Sequence, residues 1–238
     1  MSRAEDLVNS ALLRGKPNYL GFLNEREQYL ISSHFKYLDD KLTFYGGYDD
    51  AARKVMRVCD YEITDDDYNI KKICYKFRKE DALSHRDFLG ALMGLGLERD
   101  CIGDIITDER YAAVFVKNEV YEYIKSQLMK VGRVGVKLIS DDDCCVSYKQ
   151  KTERLNVIVS SMRLDSVVAA ITRLSRGKAV SLINSSKVFV NYSETENVSY
   201  NLKPEDILTI RGKGKFVIKD QSSTTKKGRL KINIEHYR

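Results

Sequence analysis

At 238 residues with 43% apolar side chains, the chain is long enough for one large domain or two small ones, and apolar enough to form a core. The net charge of +6 is unevenly spread: residues 151–238 hold 17 Lys and Arg against 8 Asp and Glu, whereas residues 1–150 hold 23 against 26. A basic final third points to nucleic acid or an anionic membrane surface as partner, with an ordinary solvated surface as the alternative. The five cysteines are odd in number and form no CxxC pair, which argues against a disulfide framework or a zinc ribbon. No hydrophobic leader is evident, and no run approaches the roughly 18–20 apolar residues that span a bilayer. A cytoplasmic protein with reduced thiols, no metal, no cofactor and no membrane partner is expected.

Residues 2–14 place Leu, Val and Ala at helical spacing and stop at Gly15, which predicts a first helix. A second helical pattern covers about Leu23 to Leu38. Thr43 to Tyr48 (TFYGGY) reads as a short strand running into a glycine turn, and the acidic Ile63 to Asn69 (ITDDDYN) as a loop. Residues 1–68 are therefore expected to form a mixed α/β subdomain.

From Ile70 a regular rhythm begins. Ile70 to Phe77 is strand-like, Ser84 to Leu97 helical, and Cys101 to Thr107 with Tyr111 to Val116 forms a hairpin across the turn residues DER. Lys117 to Val131 has Val120, Tyr123, Ile124 and Leu128 on one side, an amphipathic helix, and Val134 to Ser140 closes the series as a strand. The order β-α-β-β-α-β over 69–142 is the split βαβ arrangement of ferredoxin-like and RNA-recognition-motif folds. The aromatic and glycine signatures of a true RNA-recognition motif are not evident. Tyr75, Phe77, Tyr111 and Phe115 could stack on RNA or fill a core, and the sequence leaves both open.

Residues 143–160 are polar, acidic and then basic, and read as a linker or a connecting strand. Beyond them, Asp165 is placed to cap a helix carrying Val167, Val168, Ile171 and Leu174. Ala179, Leu182 and Ile183 mark a second short helix. Lys187 to Asn191 alternates as a strand, Ile207 to Ile218 forms a hairpin with GKG at its turn, and Gly228 to Glu235 is a last strand. A helix pair on a small antiparallel sheet over 161–238 is expected, making the whole chain α+β. Arg163 precedes the first helix, while Arg176 and Lys178 open the second, where the helix dipole disfavours cations. That placing makes sense if a phosphate accepts bonds from free backbone N–H groups there and pairs with the arginines. Arg173, Lys187 and Arg211 could extend the same face.

The pattern RLD, then R.SRGKA, LI and SKVFVN, followed by ED.L.IRGKGKF, resembles the S-four domain, named from a small-subunit ribosomal protein and found in pseudouridine synthases and some tRNA synthetases. The family fold is the same helix pair on a sheet, and the resemblance implies binding of structured RNA. On that basis the contact set is expected to be Arg163, Arg173, Ser175, Arg176, Lys178, Lys187, Asn191, Arg211, Lys213 and Lys215. One departure is Ser186, where the family usually carries glycine. The segments FYGGYDDAAR (Phe44 to Arg53) and HRDFLGALMGLGLERDCIGDI (His85 to Ile105) resemble the hallmarks of YlmH-type proteins, so that the resemblance spans nearly the whole chain. It implies binding to ribosomal RNA and peptidyl-tRNA on the large ribosomal subunit and a role in ribosome-associated quality control, with other quality-control factors or division proteins as further partners; a monomer is expected.

His85-Arg86-Asp87 matches the first residues of a kinase catalytic loop, but no glycine-rich phosphate loop or DFG accompanies it, so a helix-opening role fits better. HExxH, Walker and GxSxG motifs are lacking, and the histidines at 34, 85 and 236 are scattered. No catalytic residue is therefore expected. An accessory of ribosomal RNA modification or assembly is the enzyme-class alternative, and a cell-division-linked interaction protein is the third.

Overall fold

A computed structural model describes residues 2–38, 40–59, 68–148, 152–225 and 228–237. The chain divides into two compact units, Met1–Lys149 and Gln150–Arg238. Among the described residues no helix is long and apolar enough to cross a membrane.

The N-terminal unit holds two sheets. In the first, β1 (Asn18–Leu23), β2 (Leu42–Tyr45) and β3 (Lys54–Val58) pair antiparallel in the order β1-β3-β2. Helix α1 (Ser2–Arg14) lays Ala4, Val8 and Ala11 on it, and α2 (Glu25–His34) adds Ile31. Helix α1 ends at Gly15, whose φ of +59° needs no Cβ. The helix expected from Leu23 is shorter than its apolar pattern. Leu20, Phe22 and Leu23 belong to β1, and Asn24 opens α2 with a reciprocal capping box to Glu27. Strands β1 and β3 were not legible in the sequence. Most of the expected acidic loop, Ile63 to Asp67, lies outside the described residues.

The second sheet has four antiparallel strands, β4 (Ile70–Lys76), β5 (Ile102–Thr107), β6 (Tyr111–Lys117) and β9 (Lys137–Ile139), in the order β5-β6-β4-β9. With α3 (His85–Gly94) after β4 and α4 (Asn118–Gln127) after β6, this is the expected β-α-β-β-α-β topology, the last strand pairing beside the first. Ser84 caps α3, its N and Oγ both donating to Asp87 Oδ2, so His85 to Asp87 do open a helix. Helix α4 stops at Leu128, short of the expected Val131. Gly132 at φ +59° then turns a short hairpin, β7 (Lys130–Val131) with β8 (Val134–Gly135). One sheet face, with Ile73, Tyr75, Phe77, Val114 and Val116, packs on Phe88, Leu92 and Ile124 of the helices. The other carries Cys74, Ala113 and Phe115 beneath Phe22, Val55 and Val146.

The C-terminal unit is built on β10 (Thr152–Val159), β11 (Val188–Val190), β12 (Ser193–Glu194), β13 (Ile207–Ile210), β14 (Gly214–Thr224) and β15 (Leu230–Tyr237). They form one six-stranded antiparallel sheet in the order β10-β15-β14-β13-β11-β12. Helices α5 (Leu164–Thr172) and α6 (Arg176–Asn184) bury Leu164, Val167, Val168, Ala179 and Ile183 against Val188, Leu208, Ile210, Ile218 and Ile232. The stretch expected as a linker or connecting strand contains β10, which pairs along its whole length with β15; its alternating Leu155, Val157 and Val159 pack against the core. Within the same stretch Val146 is buried in the N-terminal unit.

Candidate nucleic-acid interface

Arg163 is the residue before α5, and Asp165, expected as its cap, is the second residue of the helix and is buried. The start of α5 is closed without a cap. Leu164 N donates to Tyr200 O at 2.8 Å, Asp165 N to Val198 O at 3.1 Å, and Ser166 N to the Asp165 carboxylate at 2.8 Å. No N–H at the start of α5 is left without a partner for a phosphate. The buried carboxylate instead gathers both arginines. Arg163 donates through Nε and Nη2 at 3.2 Å each, and Arg176 through Nε at 2.9 Å and Nη2 at 2.8 Å. Burial pushes the Asp165 carboxyl up, but the hydrogen bonds from Arg163 and then Arg176 outweigh it and hold the group below the usual carboxylate range. Both guanidinium groups remain at the surface, fixed in place, with Nη1 unpartnered among the described residues.

The start of α6 is different. Ser175 caps it, accepting from Lys178 N at 3.4 Å, and Ala179 N reaches Ser175 O. The N–H groups of Arg176 and Gly177 find no partner among the described residues, and a side chain at Gly177 would meet nothing within 4 Å. Arg173 ends α5 in the left-handed region at φ +57°, two residues from the cap, so Arg173, Ser175, Arg176 and Lys178 crowd one exposed joint.

A second basic group lies on the sheet. Lys187 and Arg211 flank the paired strands β11 and β13, with Arg211 N donating to Lys187 O and the Arg211 guanidinium 5.2 Å from the Phe189 ring centroid. Lys213 and Lys215 follow through the β13–β14 turn, Lys215 Nζ lying 4.6 Å from the Tyr237 ring centroid. Among the described residues Arg173, Lys178, Lys187, Arg211 and Lys213 have no carboxylate partner. Asn191 differs from the rest of the expected set. At φ +49° its amide donates to Asp206 Oδ1 at 2.8 Å and accepts from Ile207 N at 2.9 Å, so it braces the turn after β11. Ser186 adopts φ +55°, so the turn keeps the geometry that a glycine would take.

In the N-terminal unit Tyr75 and Phe77 are buried on the helix-facing side of the second sheet, while on its other face Phe115 is buried and Tyr111 is partly open. The two hallmark segments meet each other here. Asp104 accepts from Tyr48 Oη at 2.8 Å, Ala52 N at 2.7 Å and Arg53 N at 3.1 Å. The Arg53 guanidinium donates to the carbonyls of Ile102, Phe22 and Arg99, and Arg99 donates to those of Ile102 and Gly103. A Cβ on Gly47, at φ +97°, would come within 2.4 Å of the Phe115 ring, and one on Gly103 within 2.6 Å of Phe22. The hallmark residues thus clamp the first sheet onto the second; sequence reasoning marked them as diagnostic without seeing that role.

These features define a two-unit α+β protein with a built basic surface on its C-terminal unit. A family model described as "Putative RNA-binding domain in YlmH" matches residues 63–143. A protein of Bacillus subtilis strain 168 named "Ribosome-associated protein quality control protein P2" is 33% identical over 218 residues, covering 90% of this chain and 85% of that protein. A solved structure titled "Cell division protein ylmH from Streptococcus pneumoniae" aligns with a TM-score of 0.49 at 19% identity, over 60% of this chain and 90% of that one. The chain belongs to the YlmH family.

Proposed function

We propose that this is a non-catalytic, cytoplasmic RNA-binding protein that acts in ribosome-associated quality control, engaging ribosomal RNA and peptidyl-tRNA on the large subunit through its C-terminal unit. The observation that carries the reading is the set of exposed cations without carboxylate partners among the described residues, Arg173 and Lys178 at the helix joint and Lys187, Arg211 and Lys213 on the sheet, together with the two arginines that Asp165 holds in place. Fixed guanidinium groups lose little side-chain freedom on meeting phosphate, and cations left unneutralised gain most from a polyanion. The open N–H groups of Arg176 and Gly177 supply an anion cradle at α6, where Arg176 can pair with the same phosphate. The name of the B. subtilis relative supports the ribosomal setting, and the description of the family model that matches residues 63–143 supports RNA binding.

Sucrose-gradient sedimentation with large subunits carrying stalled peptidyl-tRNA tests this. The protein is expected to travel with the subunit at low salt and to leave it as salt rises. A protein that stays at the top of the gradient at low salt defeats the reading.

A further inference from the structure

The uncovered end of the second sheet carries an arrangement that the fold does not explain. On the face away from α3 and α4, Lys76 of β4 stands directly opposite Lys137 of β9 and, on its other side, opposite Tyr111 of β6. Both lysines are exposed, and Lys76 Nζ lies 5.6 Å from the Tyr111 ring centroid. Side chains directly opposite on antiparallel strands have Cβ atoms only ~5 Å apart, so like charges there work against pairing. The acids nearby are engaged elsewhere. Asp108 Oδ1 accepts from Arg110 N and Tyr111 N at 2.7 Å each, Glu109 pairs with Lys79, Asp81 with Arg78, and Asp141 with Lys72. Two residues back along β4, Cys74 is buried beneath the residues that cover the rest of the face.

We infer that the row Lys137–Lys76–Tyr111 is a second RNA contact, one that takes a single-stranded segment with a phosphate between the two ammonium groups and a base or ribose on the tyrosine ring. A basic pair beside a partly open aromatic ring is a combination that binds unpaired nucleotides without reading sequence. A phosphate also removes the repulsion between the two lysines. The inference rests on the RNA-binding reading above and adds where the N-terminal unit would touch RNA.

The test uses the full chain and a short fluorescent oligouridylate, with Tm recorded for every variant. Lys76→Glu places an opposite charge across from Lys137, so it is expected to raise Tm by about 2 °C. The same change should weaken oligouridylate binding about tenfold and flatten the salt slope by about 0.7, the release expected from one single-strand phosphate contact. Lys76→Gln should weaken binding less, Tyr111→Phe should bind as the wild type does, and Tyr111→Leu should lose affinity. Lys76→Glu and Lys76→Gln proteins with unchanged affinity and slope would overturn the inference, as would a fall in Tm for Lys76→Glu. Competition by polyglutamate as strong as that by RNA of equal charge, and indifferent to Tyr111→Leu, would assign the row to an acidic protein segment instead. Wild-type protein that sediments with the large subunit while the Lys76 variants bind oligouridylate like it defeats this row alone. Wild-type protein that does not sediment defeats the functional reading itself.

Discussion

In the N-terminal unit, Arg53 and Arg99 are half-buried and give their guanidinium N–H groups to the carbonyls of Phe22, Arg99, Ile102 and Gly103. In the C-terminal unit, Arg173, Lys178 and Lys187 are at the surface and have no acid beside them among the described residues. Burial pulls the Arg99 group down to about 10, aided by the neighbouring Arg53 charge, whereas Asp165 draws Arg163 the other way through a hydrogen bond at the surface. The contrast separates two uses of one residue type. A guanidinium used up on carbonyls is a strut of the fold; one oriented by a single carboxylate and still open at one edge is available to a ligand.

That contrast can be broken by mutation, and the largest effect belongs to the strut side. Asp104→Ala strands the N–H groups of Ala52 and Arg53 and frees the Tyr48 hydroxyl, so the N-terminal unit should lose about 3 kcal/mol in urea denaturation while RNA affinity of the folded protein is kept. Asp165→Asn comes next, at about 2 kcal/mol, below the ~3–5 of a fully buried pair because the arginines face water. Its pH signature is specific. A carboxyl held below its unfolded value of about 3.9 contributes fully above that pH, and the contribution is lost as pH falls through the lower folded value. The wild-type C-terminal unit should therefore weaken below about pH 4 more steeply than Asp165→Asn does. A smaller effect, of opposite sign, is expected at Ser186: glycine at φ +55° relieves left-handed strain, and Ser186→Gly should raise stability by about 1 kcal/mol without altering RNA binding.

Much of this was readable from the chain itself. The β-α-β-β-α-β order over the middle of the chain followed from periodicity, because Val114, Val116 and Ile73 alternate and Phe88 and Leu92 recur at helical spacing on one buried face. The helix pair and the β13–β14 hairpin were equally plain. Strand β1 was hidden because its apolar run flows into α2 with only Asn24 between them, and short apolar runs fit either period. Strand β10 was hidden because Glu153, Arg154 and Asn156 put charge and polarity on its exposed positions, so that it resembled a connector. In the candidate site the cations were found by composition and position. Their relation through Asp165 was not, since it joins residues eleven apart through a buried carboxylate. The bracing role of Asn191 was hidden for a similar reason: its partners, Asp206 and Ile207, arrive from another part of the chain.

The central claim, that the C-terminal cations grip RNA while those of the N-terminal clamp hold the fold, is tested most directly by the salt dependence of binding to stalled large subunits. Arg173→Ala, Lys178→Ala and Lys187→Ala, combined, should leave stability within about 0.5 kcal/mol of the wild type. They should also flatten the plot of log affinity against log salt by about 0.7–0.9 for each phosphate that the variant no longer neutralises. An unchanged slope and affinity in a stably folded triple variant would contradict the account.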